Sequence, residues 1–183
     1  MKKLQFLSLI FVLFLFACSK NSNPRIEKAE KLLEKLDSVK AEISKIDAEE
    51  VAEKYNLYME NIQHIQNVFN DTAHSDEEWE MLTSYATIKK PLRDYPAKHQ
   101  NFEKELDYSI TQIKALIQEY EEEKIDSTKF DEYYQTEVGI AHQLMTNIDF
   151  SVSSMQESAA RFDSLNPKIE DYIIEKESQI IHE

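Results

Sequence analysis

Glycine occurs once in these 183 residues, cysteine once, tryptophan once and proline four times. A single glycine removes the tight backbone approaches on which a Gly-x-Ser-x-Gly nucleophile elbow or a phosphate-cradling loop depends. A single cysteine excludes an intrachain disulfide, a dithiol redox pair and a haem-attachment motif. Turn glycines and β-branched alternation are both scarce, which argues against sheet structure. Positive charge is also in deficit: 21 Lys and Arg face 35 Asp and Glu, a formal net charge of −14. A surface of that sign repels nucleic acid, so no nucleic-acid partner is expected.

Long apolar runs are missing everywhere except at the start. Leu4 to Ala17 is a stretch of 14 residues, interrupted by Gln5 and Ser8, whereas a helix crossing a ~30 Å hydrocarbon core needs about 20 apolar residues. With Lys2 and Lys3 before it and the small Ala17 at its end, the segment has the three regions of a secretory signal peptide.

Leu15-Phe16-Ala17-Cys18 resembles the lipobox of bacterial lipoprotein precursors, with Phe16 bulkier than the residue usual there. The resemblance covers the N-terminus alone. It implies removal of residues 1–17 and acylation of Cys18. One acyl chain, at ~0.8 kcal/mol per buried methylene, holds a protein only marginally, and two or more hold it stably. The membrane partner is thus expected to be reached through acyl chains on Cys18, which leaves no thiol for catalysis. Because Ser19 follows the cysteine and no aspartate does, the resemblance favours the outer membrane where a cell has two. The expected organisation is a signal peptide over 1–17, a lipidated N-terminus and linker over 18–23, and one domain over 24–183. Removal of 17 residues leaves 166 with a formal charge of −16, since Lys2 and Lys3 go with them, a length suited to one domain with its own core.

Within that domain the apolar residues fall at helical spacing. Ala29, Leu32, Leu36, Val39, Ile43 and Ile46 step by three and four, and after a slip of phase Val51, Tyr55, Tyr58, Ile62, Ile65 and Phe69 do the same. Asp47 can cap the second helix while Ile46 packs on Val51 as a staple. Lys45-Ile46-Asp47 returns 79 residues later as Lys124-Ile125-Asp126, and each word is expected to mark a tight turn between antiparallel helices. Ser75 with Glu78 forms a capping box for a shorter helix reaching about Lys90, after which Pro91 and Pro96 are expected to impose an irregular connection. A fourth helix carries Phe102, Leu106, Ile110, Ile113, Leu116, Ile117 and Tyr120. The fifth is the longest, running from Ser127 to Ser164 with an unbroken stripe from Tyr134 to Phe162; Gly139 and the serines near 151–154 are places for a kink. Asn166-Pro167 repeats Asn23-Pro24, so a last helix is expected to begin there. The fold class is all-α, an elongated antiparallel helical bundle of five to six helices.

Chemistry-bearing patterns are sparse. Glu60 with His64, and Asp71 with His74, are the nearest approaches to a ligand pair, and neither brings the second helix that a di-carboxylate bundle site requires. The acidic runs Glu49-Glu50 and Asp76-Glu77-Glu78 suit helix N-termini, and Glu121-Glu122-Glu123 suits a solvated helix end. No metal, no cofactor and no catalytic residue is expected. One segment differs: Lys89, Lys90 and Arg93 gather positive charge next to Trp79 and Tyr85, residue types that carry much of the energy at interfaces. These five are the candidate partner-binding residues, against a reading in which the short helix is simply core. The expectation is a lipid-anchored envelope protein that is not an enzyme and acts as a binding, scaffold or assembly module toward a protein partner. The alternative is a ligand-binding or enzymatic lipoprotein with its site between helices.

Overall fold

A computed structural model describes residues 23–68 and 74–181, with the side chains of residues 68, 180 and 181 left out. Five helices account for nearly all of them: α1 Pro24–Ile43, α2 Ala48–Val68, α3 Asp76–Ala86, α4 Lys89–Glu121 and α5 Ser127–Ile181. The molecule is all-helical over the described residues.

Cross-chain pairings give the direction of each helix. Ascending from α1 into α2, Arg25 meets Asp131, Lys54 meets Asp163, Asn61 meets Asn166 and His64 meets Glu177, so α1 and α2 run the same way as α5. Against α4 the order reverses: Asn23 meets Tyr120, Lys40 meets Asp107 and the Ile43 carbonyl meets His99. Descending from α3 into α4, Glu78 meets Lys176, Tyr85 meets Asn166 and Thr87 meets Arg161. The chain therefore makes a rod with three legs. Two legs are interrupted, α1 with α2 and α3 with α4, and the third is α5, whose 55 residues extend ~82 Å at 1.5 Å per residue.

The turn expected at 46–51 is a cap without a reversal. Asp47 does accept from the amides of Glu49 and Glu50, at 2.9 and 3.1 Å, and Val51 is buried beside the half-buried Ile46. Yet α1 and α2 do not pack on each other; each lies along α4 and α5. The physical reason is that a cap and staple set where a helix starts, not the angle at which it leaves its predecessor. The matching word at 122–126 does reverse the chain. There Glu123 is left-handed, φ 56°, and the Lys124 and Glu123 amides bond back to the carbonyls of Glu119 and Tyr120 at 2.9 and 3.2 Å, a Schellman ending at a residue with a side chain.

Both proline expectations are corrected as well. Pro91 is the third residue of α4, where its missing N–H has no intrahelical partner to lose. Pro96 lies inside the same helix, where it gives up one backbone hydrogen bond, while Leu92 and Tyr95 in the turn before it are fully buried. Asn166-Pro167 starts no helix, because α5 continues through it to Ile181. Ile169, Tyr172 and Ile173, all buried, carry the apolar stripe past the proline in phase.

Two cores lie end to end. The first joins α1, the later part of α4 and the earlier part of α5 around Leu36, Leu106, Ile113 and Ala141. The second joins α2, α3, the start of α4 and the later part of α5 around Tyr58, Tyr85, Leu92 and Ile169. The stripes read from the sequence in α1, α4 and α5 are the ones that face these cores. Phe69 lies outside the described residues.

Candidate partner-binding surface

The five candidate residues are divided by the fold. Helix α3 has two apolar edges, and the one carrying Tyr85, with Met81 and Leu82, turns into the second core. Tyr85 is completely buried, between the rings of Tyr58 at 5.0 Å and Phe162 at 6.3 Å. Trp79, on the other edge, is 63% exposed and stacks on His74 with centroids 6.1 Å apart. Lys89 and Lys90 stand exposed in the first turn of α4. Arg93 points to the neighbouring Asp94, Nε to Oδ1 2.7 Å, and this contact holds the Asp94 carboxyl below its ordinary value. The structure therefore brings Lys89, Lys90 and Arg93 together on one end of α4 and assigns Tyr85 to the interior. Cys18 lies outside the described residues.

Tyr85 leads into a polar cluster that reading the sequence missed. Its hydroxyl donates to Asn166 Oδ1 at 2.7 Å, and the Asn61 amide donates to the same oxygen at 2.9 Å. Asn166 in turn donates to Glu170 at 2.7 Å. Three helices thus meet through one side-chain amide that is 9% exposed. Burial pushes the Tyr85 hydroxyl up to about 12. Asn166 was legible only as a helix cap, because asparagine before proline is the usual sign of a helix start. Its place in phase with Phe162 and Ile169 was the available signal for an interior position.

Farther along the rod a second polar group surrounds the α2–α3 end. His74 Nδ1 lies 3.0 Å from the Tyr172 hydroxyl, His64 Nε2 lies 3.0 Å from Glu177, and Lys176 reaches Glu78 at 2.9 Å while sitting 5.6 Å over the Tyr172 ring. Glu78 also closes the capping box with Ser75, accepting from its amide at 2.6 Å. Lys176 is the first cause that lowers the Glu78 carboxyl, and Glu78 the first that raises the Lys176 ammonium. His64 and His74, the two histidines considered as ligands, are thus engaged with side chains of α5. Among the described residues no group of three or more His, Cys, Asp or Glu is placed to hold a metal ion, and no helix is long and apolar enough to cross a membrane. Asp71 lies outside the described residues.

The concavities of the surface are shallow grooves between helices. One, of about 180 Å³, is lined by Lys90, Pro91, Asp94 and Lys98 of α4 and by Phe150, Ser151 and Ser154 of α5. It continues the basic end of α4 toward Phe150, which is 74% exposed. Such an arrangement offers cations beside an aromatic face, the chemistry of a contact with an anionic and partly apolar partner.

Compared with protein-family models, with curated proteins and with solved structures, the chain matches none.

Proposed function

We propose that this chain is a lipid-anchored bacterial envelope protein, an elongated antiparallel bundle that acts as a non-enzymatic binding, scaffold or assembly module. The observation that carries the reading is the relation between anchor and rod. Cys18 precedes the start of α1 by only a few residues, and α1 starts at the same end as the α4–α5 turn, where Asn23 meets Tyr120 and Arg25 meets Asp131. The α2–α3 end, with His74 against Tyr172, lies 45 residues farther along α5 than Ser127, or ~68 Å. A single chain tethered at Cys18 can extend that end, with the exposed Trp79, up to this distance from the bilayer. Lys89, Lys90 and Arg93 are the side chains through which an anionic protein partner is held. Asn61, Tyr85, Asn166 and Glu170 bond to one another, and the groove that Asn61 and Glu170 line with Glu60 and His64 is open to solvent rather than enclosed, which supports a binding role over the alternative of an enzyme or ligand site between helices.

The test has two parts. Mass spectrometry of the protein made in a bacterium should find the chain beginning at an acylated Cys18, and Cys18→Ser should abolish acylation; an acylated Cys18→Ser protein refutes the anchor. Lys89→Glu, Lys90→Glu and Arg93→Glu together should reduce the proteins captured from envelope extracts without altering thermal unfolding. Unchanged capture refutes the basic end as the partner site.

A further inference from the structure

Helix α5 carries a second periodic stripe beside the one that faces the core. Tyr133, Ile140 and Phe150 belong to it, spaced by whole alternations of three and four, and are 47%, 46% and 74% exposed. Helix α4 has a matching stripe that steps by four and three from Asp94 to Glu119 and contains Tyr108, 63% exposed. The two stripes border one seam. Glu119 shares a groove with Tyr133, Tyr108 shares the next with Ile140, and Lys98 shares the third with Phe150. Four of the seven large hydrophobic residues most exposed among those described thus lie along a single α4–α5 seam, on which no helix of the described chain lies. Exposed hydrophobics scattered over a surface are ordinary, whereas four gathered along one seam and separated by polar side chains such as Gln143 and Asn147 have the mixed composition of a non-obligate interface.

The order of residues along the seam says what covers it. Lys98 precedes Tyr108 by ten residues and Glu119 follows it by eleven; Tyr133 precedes Ile140 by seven and Phe150 follows it by ten. The midpoint between Lys98 and Glu119 on α4, and that between Tyr133 and Phe150 on α5, fall together at the Tyr108–Ile140 groove. A two-fold axis across the seam at this level lays α4 on α4 and α5 on α5, each pair antiparallel. It puts Lys98 opposite Glu119 of a second copy, Tyr133 opposite Phe150 of that copy, and Tyr108 and Ile140 beside their own equivalents on the axis. An isologous contact requires this self-complementarity. The seam from Asp94 to Glu119 is ~37 Å long and, for two helices about 10 Å apart, roughly 20 Å wide. That strip of ~700 Å² per copy approaches the ~800 Å² per partner of a standard stable interface.

We propose that two copies of this chain associate through the α4–α5 seam as an antiparallel dimer, with Tyr108 and Ile140 at its centre and Lys98–Glu119 pairs at its ends. The proposal does not depend on a partner at Lys89, Lys90 and Arg93; because the two-fold axis turns the second copy end over end, it applies to rods lying along the bilayer, where both Cys18 linkers can reach one membrane, and not to a single rod standing on its anchor.

Sedimentation equilibrium of the full-length Cys18→Ser chain in a density-matched non-ionic detergent tests it. The background substitution removes acylation and intermolecular disulfides. The expected result is a reversible dimer at concentrations of about 100 µM or below, within the range usual for interfaces of this size. Lys98→Glu and Glu119→Lys should each weaken it about tenfold or more, since each sets like charges face to face at both ends of the interface. The double reversal should restore dimerisation to within about threefold of the starting chain, because it re-forms the opposite-charge pairs. Within one chain the two side chains are 21 residues apart, ~32 Å along one helix, so restoration can only act between copies. Ile140→Glu should give a monomer with unchanged helical circular dichroism. A starting chain that remains monomeric, a dimer insensitive to Ile140→Glu, or a double reversal no better than its single variants would each overturn the proposal.

Discussion

Tyr85 and Tyr95 are both buried in the second core, and burial pushes both hydroxyls up to about 12, yet their surroundings differ in one decisive way. The Tyr85 hydroxyl bonds to Asn166, whereas the Tyr95 hydroxyl has no hydrogen-bond partner among the described residues. Deleting a satisfied hydroxyl loses a net ~1 kcal/mol, while deleting an orphaned one removes a desolvation cost of ~1–3 kcal/mol. Tyr85→Phe is therefore expected to lower stability by about 1 kcal/mol, with Asn61 still bonded to Asn166, and Tyr95→Phe to raise it or leave it unchanged. Urea unfolding of the two variants separates them, and equal losses would contradict the assignment. Both residues also set an alkaline limit. The folded state holds these protons more tightly than the unfolded chain, whose tyrosines titrate near 10, so the stability they contribute is complete below pH 10. It falls as the pH rises from 10 toward 12. Unfolding followed across that window should show a smaller decline in the Tyr85→Phe, Tyr95→Phe double variant than in the unmodified protein.

Helix starts are settled by a few atoms, and Asp47 and Asp126 show this at the two matching turns. Asp126 Oδ1 accepts from the Lys129 amide at 2.9 Å, and Asp47 accepts from two amides of α2. Replacing either with alanine should cost about 1 kcal/mol, within the 0.5–2 kcal/mol range of side-chain caps; thermal unfolding unchanged in both would refute the capping role. These starts, and the core stripes of α1, α4 and α5, were legible because capping and the 3.6-residue period act locally. The path of the chain between helices was not. Whether α2 folds back on α1 or runs on depends on which partners bury Val51 and Tyr58, and those partners, in α3, α4 and α5, are distant in sequence. Pro96 and Pro167 were misread for the same reason. A proline costs an isolated helix ~3 kcal/mol or more, but here Leu92 and Tyr95 just before Pro96, and Ile169 and Tyr172 just after Pro167, are anchored in a core. Of the candidate surface, the cations and Trp79 could be found as a cluster in the chain. Phe150 could not, since its stripe on α5 includes Gln143 and Asn147 and so lacks the apolar continuity by which a buried face is recognised.

At the scale of the whole molecule the question is whether two cores laid end to end make one cooperative unit or two. α1 serves the first core and α3 the second, but α4 and α5 pass through both, and Val152 packs against each. Unfolding one core would leave helices of α4 and α5 projecting without partners, and isolated helices are marginal in water because their stability comes from the packed face. A single transition is therefore expected by calorimetry, with matching calorimetric and van't Hoff enthalpies. Ile110 in the first core and Ile169 in the second are both nearly or fully buried, and replacing either with valine should cost ~0.5–1.5 kcal/mol. The α5 residues level with Ile110 lie nearly 30 positions before Ile169, ~40 Å along the helix. No contact is shared over that distance, so the two losses should add within about 0.5 kcal/mol in the double variant while the transition stays single. If Ile169→Val instead splits the melt, so that a fraction of the protein unfolds early and the rest at the original temperature, α4 and α5 do not couple the two halves and the rod is two independently folding segments.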